Sequence, residues 1–139
     1  MRRTALFALL STTAQGLNVG ESMLAKQRWV VVGDVLSPKK PAYAVFHRLQ
    51  AAGKEVIGVN PRDRTGTLAK SLADATLSDE IEVIDLIINS KVGLDIMREA
   101  NTLGVKQVFI QPGASSAEIE AFCEANEIET HHGCVLREL

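Results

Sequence analysis

Short β-branched runs alternate with amphipathic segments along this chain, and that alternation restricts the fold more than any other feature. The runs Trp29–Val32, Glu55–Val59, Val83–Ile88 and Gln107–Ile110 each have the length of a buried strand. Segments of about 10 to 13 residues with helical periodicity separate most of them, which is typical of βαβ units. Such crossovers require a parallel sheet with helices on both faces. The sequence therefore predicts an α/β, Rossmann-like three-layer α/β/α fold with a mostly parallel sheet.

The predicted helices have recognisable ends. Residues 42–52 carry apolar side chains at helical spacing, with Pro41 in the first turn and Gly53 after the last. Asn89 or Ser90 can cap the next helix. Ser115 and Glu118 have the spacing of a capping box at the start of the last one.

Two further segments carry weaker patterns. Residues 62–82 are polar and rich in Gly and Thr, which favours irregular loops with a short edge strand. Residues 128–132 are predicted to form a final strand. Neither segment indicates a second domain, and 139 residues correspond to one domain.

Composition excludes several classes of function. A net charge of −2 and 4% aromatic residues argue against a nucleic-acid-binding surface. No apolar stretch reaches the roughly 18 residues of a membrane-spanning helix. Two cysteines are too few for a disulfide framework, so a reducing compartment, the cytoplasm, is the expected location.

Residues 1–22 are considered apart from the domain, which spans residues 23–139. Arg2 and Arg3 open a stretch without acids up to Gly20, and the apolar run Ala5–Leu10 is short for a secretory signal. An N-terminal helix that packs on the sheet edge is the favoured interpretation. A mitochondrial transit peptide is the alternative.

A doubly wound sheet binds ligands at the carboxyl ends of its strands, which directs attention to loops 33–41, 60–66, 89–91 and 111–115. The first of these precedes a helix N-terminus, where backbone N–H groups and the helix dipole favour an anion. Lys39 and Lys40 add positive charge there, and Arg62 and Arg64 follow the second strand. Two basic pairs that should meet at one sheet edge predict an anion site.

Motifs of several nucleotide-binding and catalytic classes are missing. The chain has no G-x-G-x-x-G, and Asn60 stands where an acidic residue would bond the ribose of NAD. P-loop and G-x-S-x-G motifs are also missing. His131, His132 and Cys134 lack the second ligand pair that zinc would require. We therefore assign neither catalytic nor metal-ligating residues.

The loops carry a family resemblance over roughly residues 23–139. The chain resembles the stand-alone CoA-binding domain family, which is similar to the N-terminal domain of the succinyl-CoA synthetase α-subunit. The matching pieces, in order, are the apolar strand ending at Gly33, Lys40-Pro41-Ala42, Val59-Asn60-Pro61, Gly66, Gln111-Pro112-Gly113 and the terminal Cys134–Glu138.

The resemblance implies a site for CoA or an acyl-CoA. The backbone from Gly33 to Ser37 would cradle the diphosphate, Lys39 and Lys40 would balance its charge, and the other loops would border the adenosine and pantetheine parts. The full set of implied ligand-binding residues is Gly33, Asp34, Val35, Ser37, Lys39, Lys40, Pro41, Asn60, Pro61, Arg62, Asn89, Ser90, Gln111 and Gly113.

The resemblance also implies a role. The synthetase needs a phosphorylated histidine and a partner subunit that lie outside this type of domain, so a non-catalytic carrier, sensor or regulatory module is expected. One alternative is an enzyme or enzyme subunit on the same fold, related to CoA ligases or dependent on NAD(P). Another is a protein-interaction module with a degenerate nucleotide site. Asp34 favours the latter, because a carboxylate repels a diphosphate unless it points away or shares a cation.

Overall fold

The computed structural model describes residues 18–139. Strands and helices alternate through this part of the chain, as the sequence pattern predicts. In chain order the elements are α1 (Val19–Leu24), β1 (Arg28–Gly33), α2 (Pro41–Ala51), β2 (Glu55–Val59), β3 (Val83–Ile87), α3 (Ser90–Leu103), β4 (Gln107–Ile110), α4 (Ala117–Ala125), β5 (Glu129–His132) and α5 (Val135–Glu138).

The five strands form one parallel sheet in the order β2-β1-β3-β4-β5. Val31 of β1 pairs with Gly58 of β2 on one side and with Asp85 of β3 on the other. The chain leaves β1 toward β2 and later returns to β3 on the opposite side. The predicted Rossmann-like α/β fold is confirmed, and its sheet is entirely parallel.

Alternate side chains of the strands feed two cores, one on each face of the sheet. Val30, Val32 and Leu86 belong to the core that α3 and α4 cover. Trp29 and Val31 belong to the core that α1, α2 and α5 cover. The period-2 alternation of a strand buried on both faces thus produces the predicted three layers.

The ends of α2 and α3 follow the sequence signals. Pro41 occupies the first turn of α2, although its N-cap, Lys40, makes no side-chain capping bond. Asn89 caps α3 by accepting a hydrogen bond from the Val92 N–H at 3.0 Å, as predicted. Gly104 ends α3 in the left-handed conformation with φ 78°.

The predicted capping box of α4 is wrong by one residue. Ser116 is the N-cap, and its hydroxyl accepts a hydrogen bond from the Ile119 N–H. Ser115 instead donates to Glu120 Oε2 at 2.5 Å. Because the residue three positions after Ser116 is Ile119, no carboxylate returns to the N-cap N–H, and Glu118 lies in the first turn without that role.

The segment 62–82 contains no regular strand. Its β-structure is a single bridge between Val59 and Ala69, and the Asn60 N–H donates to the Ala69 carbonyl at 2.9 Å. Glu99 of α3 fixes the segment by accepting hydrogen bonds from the N–H groups of Leu72 and Ala73. The expected edge strand is thus reduced to one pair of residues, because side chains and turns satisfy the backbone instead.

The interpretations of residues 1–22 concern mainly residues 1–17, which lie outside the described residues. Within the described part, α1 packs against the β4 and β5 side of the sheet. None of the helices in residues 18–139 is both long and apolar enough to span a membrane. The compartment stays a prediction.

Candidate functional site

The reversal of strand order between β1 and β3 opens a crevice at the carboxyl ends of these strands. Gly33 ends β1 directly beside Ile87 of β3. A Cβ built on Gly33 would overlap the Ile87 carbonyl oxygen and lie 3.1 Å from the Ala42 Cβ. Gly33 therefore allows β1, β3 and the first turn of α2 to converge, which any side chain would prevent.

A cleft of about 390 Å³ lies at this convergence, and we call it the polar cleft. It combines the ends of three strands with the start of α2. Its lining residues are Asp34, Lys40, Pro41, Ala42, Asn60, Arg62, Ile87, Ile88 and Asn89.

The polar cleft has the features of an anion site. Lys40 and Arg62 contribute positive charge from two different loops. The N-terminus of α2 faces the same space through Lys40, Pro41 and Ala42, without a side-chain cap. Pro41 has no N–H, and the Tyr43 N–H donates to the Lys40 carbonyl at 3.1 Å. The Ala42 N–H and the positive end of the helix dipole are left to attract an anion.

Asp34 places one negative charge in the same cleft. Its Oδ1 accepts a hydrogen bond from the Ser37 N–H at 3.3 Å, which ties the carboxylate to the loop after β1. Within residues 18–139, no lysine or arginine nitrogen comes within 4.0 Å of this carboxylate. The cleft therefore holds a carboxylate without a contacting cationic partner.

A tight turn after β2 presents Asn60 and Arg62 to the cleft. Asn60 Oδ1 accepts the Arg62 N–H at 2.9 Å. The buried Asp63 carboxylate accepts hydrogen bonds from Thr65 Oγ1 at 2.8 Å and from the Gly66 N–H at 3.0 Å. These bonds, the one from the Thr65 hydroxyl first, lower the pKa of Asp63. Asp63 therefore organises the turn, a role that was not predicted, although an Asp shortly before Thr and Gly is a turn signal.

A second cleft of about 290 Å³ continues from the first, and we call it the apolar cleft. The two clefts share Pro41, Ile87, Ile88 and Asn89. The apolar cleft adds the loop after β4, Gln111 to Ala114.

Gln111 has an incomplete set of hydrogen bonds. Its Nε2 donates to Cys134 Sγ at 3.3 Å, whereas its Oε1 is buried and has no hydrogen-bond partner among residues 18–139. A buried amide oxygen without a partner costs free energy, so Gln111 carries an unmet hydrogen bond beside the apolar cleft. The contact between Gln111 and Cys134 joins the loop after β4 to the last residues of the chain, so it requires the tertiary fold.

The structure brings together eight of the fourteen residues that the resemblance implies. Lys39 is exposed and lines neither cleft, in contrast to Lys40. Val35 is buried in the core beside Gly58, where it anchors the loop. Six of the eight line the polar cleft, namely Asp34, Lys40, Pro41, Asn60, Arg62 and Asn89, and the other two, Gln111 and Gly113, line the apolar cleft. Pro41 and Asn89 line both clefts.

The floor of the clefts was not predicted. Ile87 and Ile88 line both clefts at the end of β3, and Ala42 lines the polar one. Apolar residues at a strand end carry no signal that separates a ligand contact from core packing. Among residues 18–139, no group of three or more His, Cys, Asp or Glu side chains is arranged to hold a metal ion.

Comparison with known proteins adds a family and a set of similar folds. A family model described as a CoA binding domain matches residues 27–139. A conserved hypothetical protein from Pyrococcus furiosus is 32% identical, with a TM-score of 0.71, over 82% of this chain and 100% of its own. A hypothetical protein from Pyrococcus horikoshii OT3 is 25% identical, with a TM-score of 0.76, over 88% of this chain and 90% of its own.

A larger enzyme contains a similar fold. A dinucleotide-forming acetyl-coenzyme A synthetase from Ca. Korarchaeum cryptofilum, solved with phosphate and ADP, is 17% identical over 79% of this chain and 26% of its own, with a TM-score of 0.62. That likeness concerns the fold.

Proposed function

The chain belongs to the CoA-binding domain family, and from this premise we propose that it binds coenzyme A or an acyl-CoA in the polar and apolar clefts. The observation that carries the proposal is the continuity of the two clefts through four shared residues. CoA has the same order of chemistry, since an anionic nucleotide is followed by a flexible, mostly apolar pantetheine arm with two amides.

The nucleotide end fits the polar cleft. Lys40 and Arg62 lie where a diphosphate would meet the N-terminus of α2. A guanidinium group pairs with phosphate oxygens through two parallel hydrogen bonds, and a lysine adds a point charge. We assign Asn60 and Pro61 to the border of the adenosine.

The pantetheine arm fits the apolar cleft. Gln111 lines the apolar cleft, and its unpartnered Oε1 would accept an amide N–H of the arm once the side chain turns toward the cleft. Ile87, Ile88 and Pro112 provide apolar contacts beside it. Gly113 lines the apolar cleft beside Gln111 and adopts a φ of 90°, a conformation that the turn after β4 requires and that favours glycine.

We propose a carrier, sensor or regulatory role for the bound CoA. Among residues 18–139, those that line the two clefts include no histidine, cysteine or serine that could act as a nucleophile or general base beside the thioester. An enzyme subunit on the same fold would have to receive those groups from a partner.

Isothermal titration calorimetry of the nucleotide-stripped protein with CoA, acetyl-CoA and NAD, in buffer with MgCl2, tests the proposal. Binding of both CoA species at about micromolar Kd, without binding of NAD, is the expected result. A protein that binds neither CoA species contradicts it, and a single co-purifying protein partner would then favour an interaction module.

A further inference from the structure

We propose that the polar cleft takes the diphosphate of its ligand together with a divalent cation, and that the Asp34 carboxylate is the protein ligand of that cation. The inference rests on the proposed function, because the diphosphate supplies the remaining ligands. The site would thus accept its ligand as a complex with a divalent cation.

Asp34 lies in the polar cleft, where no cationic side chain of residues 18–139 contacts it. It lines the polar cleft with Lys40 and Arg62, yet its carboxylate contacts neither of them within 4.0 Å. The hydrogen bond from the Ser37 N–H to Oδ1 holds the carboxylate in the loop where the diphosphate would lie. Its second oxygen is not among the buried atoms without a partner, so it has access to the cleft or to solvent.

The charge of the cleft lining does not balance the charge of a diphosphate. Lys40, Arg62 and Asp34 together leave one net positive charge in the cleft lining. A diphosphate diester brings about two negative charges, and a carboxylate a few ångströms away repels it. A divalent cation between the two oxyanions converts that repulsion into attraction.

The oxygen donors at the polar cleft suit Mg²⁺. Mg²⁺ is commonly held by one or two carboxylates and by substrate phosphates, and it keeps several waters. Within the described part of the chain, residues 18–139, Asp34 is the one carboxylate that lines the polar cleft. The side-chain oxygens of Asn60 and Asn89 already accept backbone N–H groups. A single carboxylate holds Mg²⁺ weakly, so cation and diphosphate should bind cooperatively, each raising the affinity of the other.

The test compares CoA binding by the complete protein in MgCl2 and in EDTA with NaCl at equal ionic strength. We expect Mg²⁺ to strengthen CoA binding by the wild type about tenfold or more. Asp34→Asn keeps the acceptor for the Ser37 N–H but removes the charge, and it should bind CoA in EDTA at least as tightly as the wild type does in MgCl2. Asp74→Asn removes an exposed acid outside the clefts and should keep the dependence on Mg²⁺.

Two further measurements separate ligation from screening. Hexaamminecobalt(III) cannot accept a carboxylate ligand, so it should not replace Mg²⁺. Mn²⁺ should give an electron paramagnetic resonance spectrum of a bound ion only when CoA is present, and Asp34→Asn should lose it.

Each negative outcome has a distinct meaning. Equal CoA affinity with and without Mg²⁺, or replacement of Mg²⁺ by hexaamminecobalt(III), overturns the cation site and leaves the proposed function standing. Failure of the wild type to bind CoA under both conditions overturns the proposed function itself. The wild-type comparison stands even if a variant does not fold.

Discussion

Gly20 of α1 lies directly against the imidazole ring of His131 on β5. A Cβ built on Gly20 would lie 2.6 Å from His131 Nε2, which is closer than real Cβ atoms come to other atoms. His131 is held in place by Glu138 of α5, whose Oε1 lies 2.9 Å from His131 Nε2. The contact therefore joins α1, β5 and α5 at one edge of the domain.

Gly20→Ala should destabilise the domain by about 1 to 3 kcal/mol, because overpacking outweighs the usual gain of about 0.5 to 1 kcal/mol for alanine over glycine in a helix. Denaturant unfolding measures the change. In the background of His131→Ala the same substitution should become neutral or stabilising, since the ring is gone. Equal effects of Gly20→Ala in both backgrounds would contradict the contact.

Lys40→Glu should weaken CoA binding about tenfold or more, because it reverses a charge in the lining of the polar cleft. Lys39→Glu is the matched control, since Lys39 is exposed and lines neither cleft. Its effect should be small and should fade at high salt. Calorimetry of both variants tests the difference, and equal losses would mean that only the overall charge of the loop matters.

Gln111→Met should weaken CoA binding about threefold to tenfold, because the variant removes the amide oxygen that we propose accepts an N–H of the pantetheine arm. Binding of ADP, which has the diphosphate but no pantetheine, should stay unchanged. Parallel titrations of both ligands measure the effect. A similar loss for ADP would place Gln111 in the structure of the site rather than in contact with the arm.

Asp85 is a carboxyl group in the centre of the sheet. It is 0% exposed, lies between Val31 of β1 and Phe109 of β4, and neither of its oxygens has a hydrogen-bond partner among residues 18–139. Burial raises the pKa of the Asp85 carboxyl well above its ordinary value of 3.8. The folded state therefore holds this proton more tightly than the unfolded state does.

The stability that protonated Asp85 contributes is fully present below the unfolded-state pKa and is lost as the pH rises through the folded-state pKa. Asp85→Asn cannot lose a proton. Between the unfolded-state and the folded-state pKa of Asp85, the stability of this variant relative to the wild type should rise by up to about 1.4 kcal/mol per pH unit. Denaturant unfolding at several pH values measures the slope. A constant difference in stability between Asp85→Asn and the wild type would show that the pKa of Asp85 does not change on folding.

Much of the fold was predictable because its signals are local. The strand 83–88 and the helix that Asn89 caps follow from β-branched composition and from the preference of asparagine for an N-cap. The error at Ser115 arose because neighbouring serines offer two equivalent caps; in the structure Ser116 is the N-cap, and the Ser115 hydroxyl donates to Glu120. The segment 62–82 differed because the carboxylates of Asp63 and Glu99 satisfy backbone groups that an edge strand would have paired.

The sequence by itself determined the parallel α/β sheet, the loops at its carboxyl edge and the family, since periodicity, turn residues and motif order are properties of neighbouring positions. Only the tertiary structure decided that Lys40 rather than Lys39 faces the cleft, that Gln111 meets Cys134, and that Asp85 has no partner. The physical reason is that these relationships depend on which side chains the folded backbone brings together across distant segments. Burial and missing partners exist only once those segments have packed.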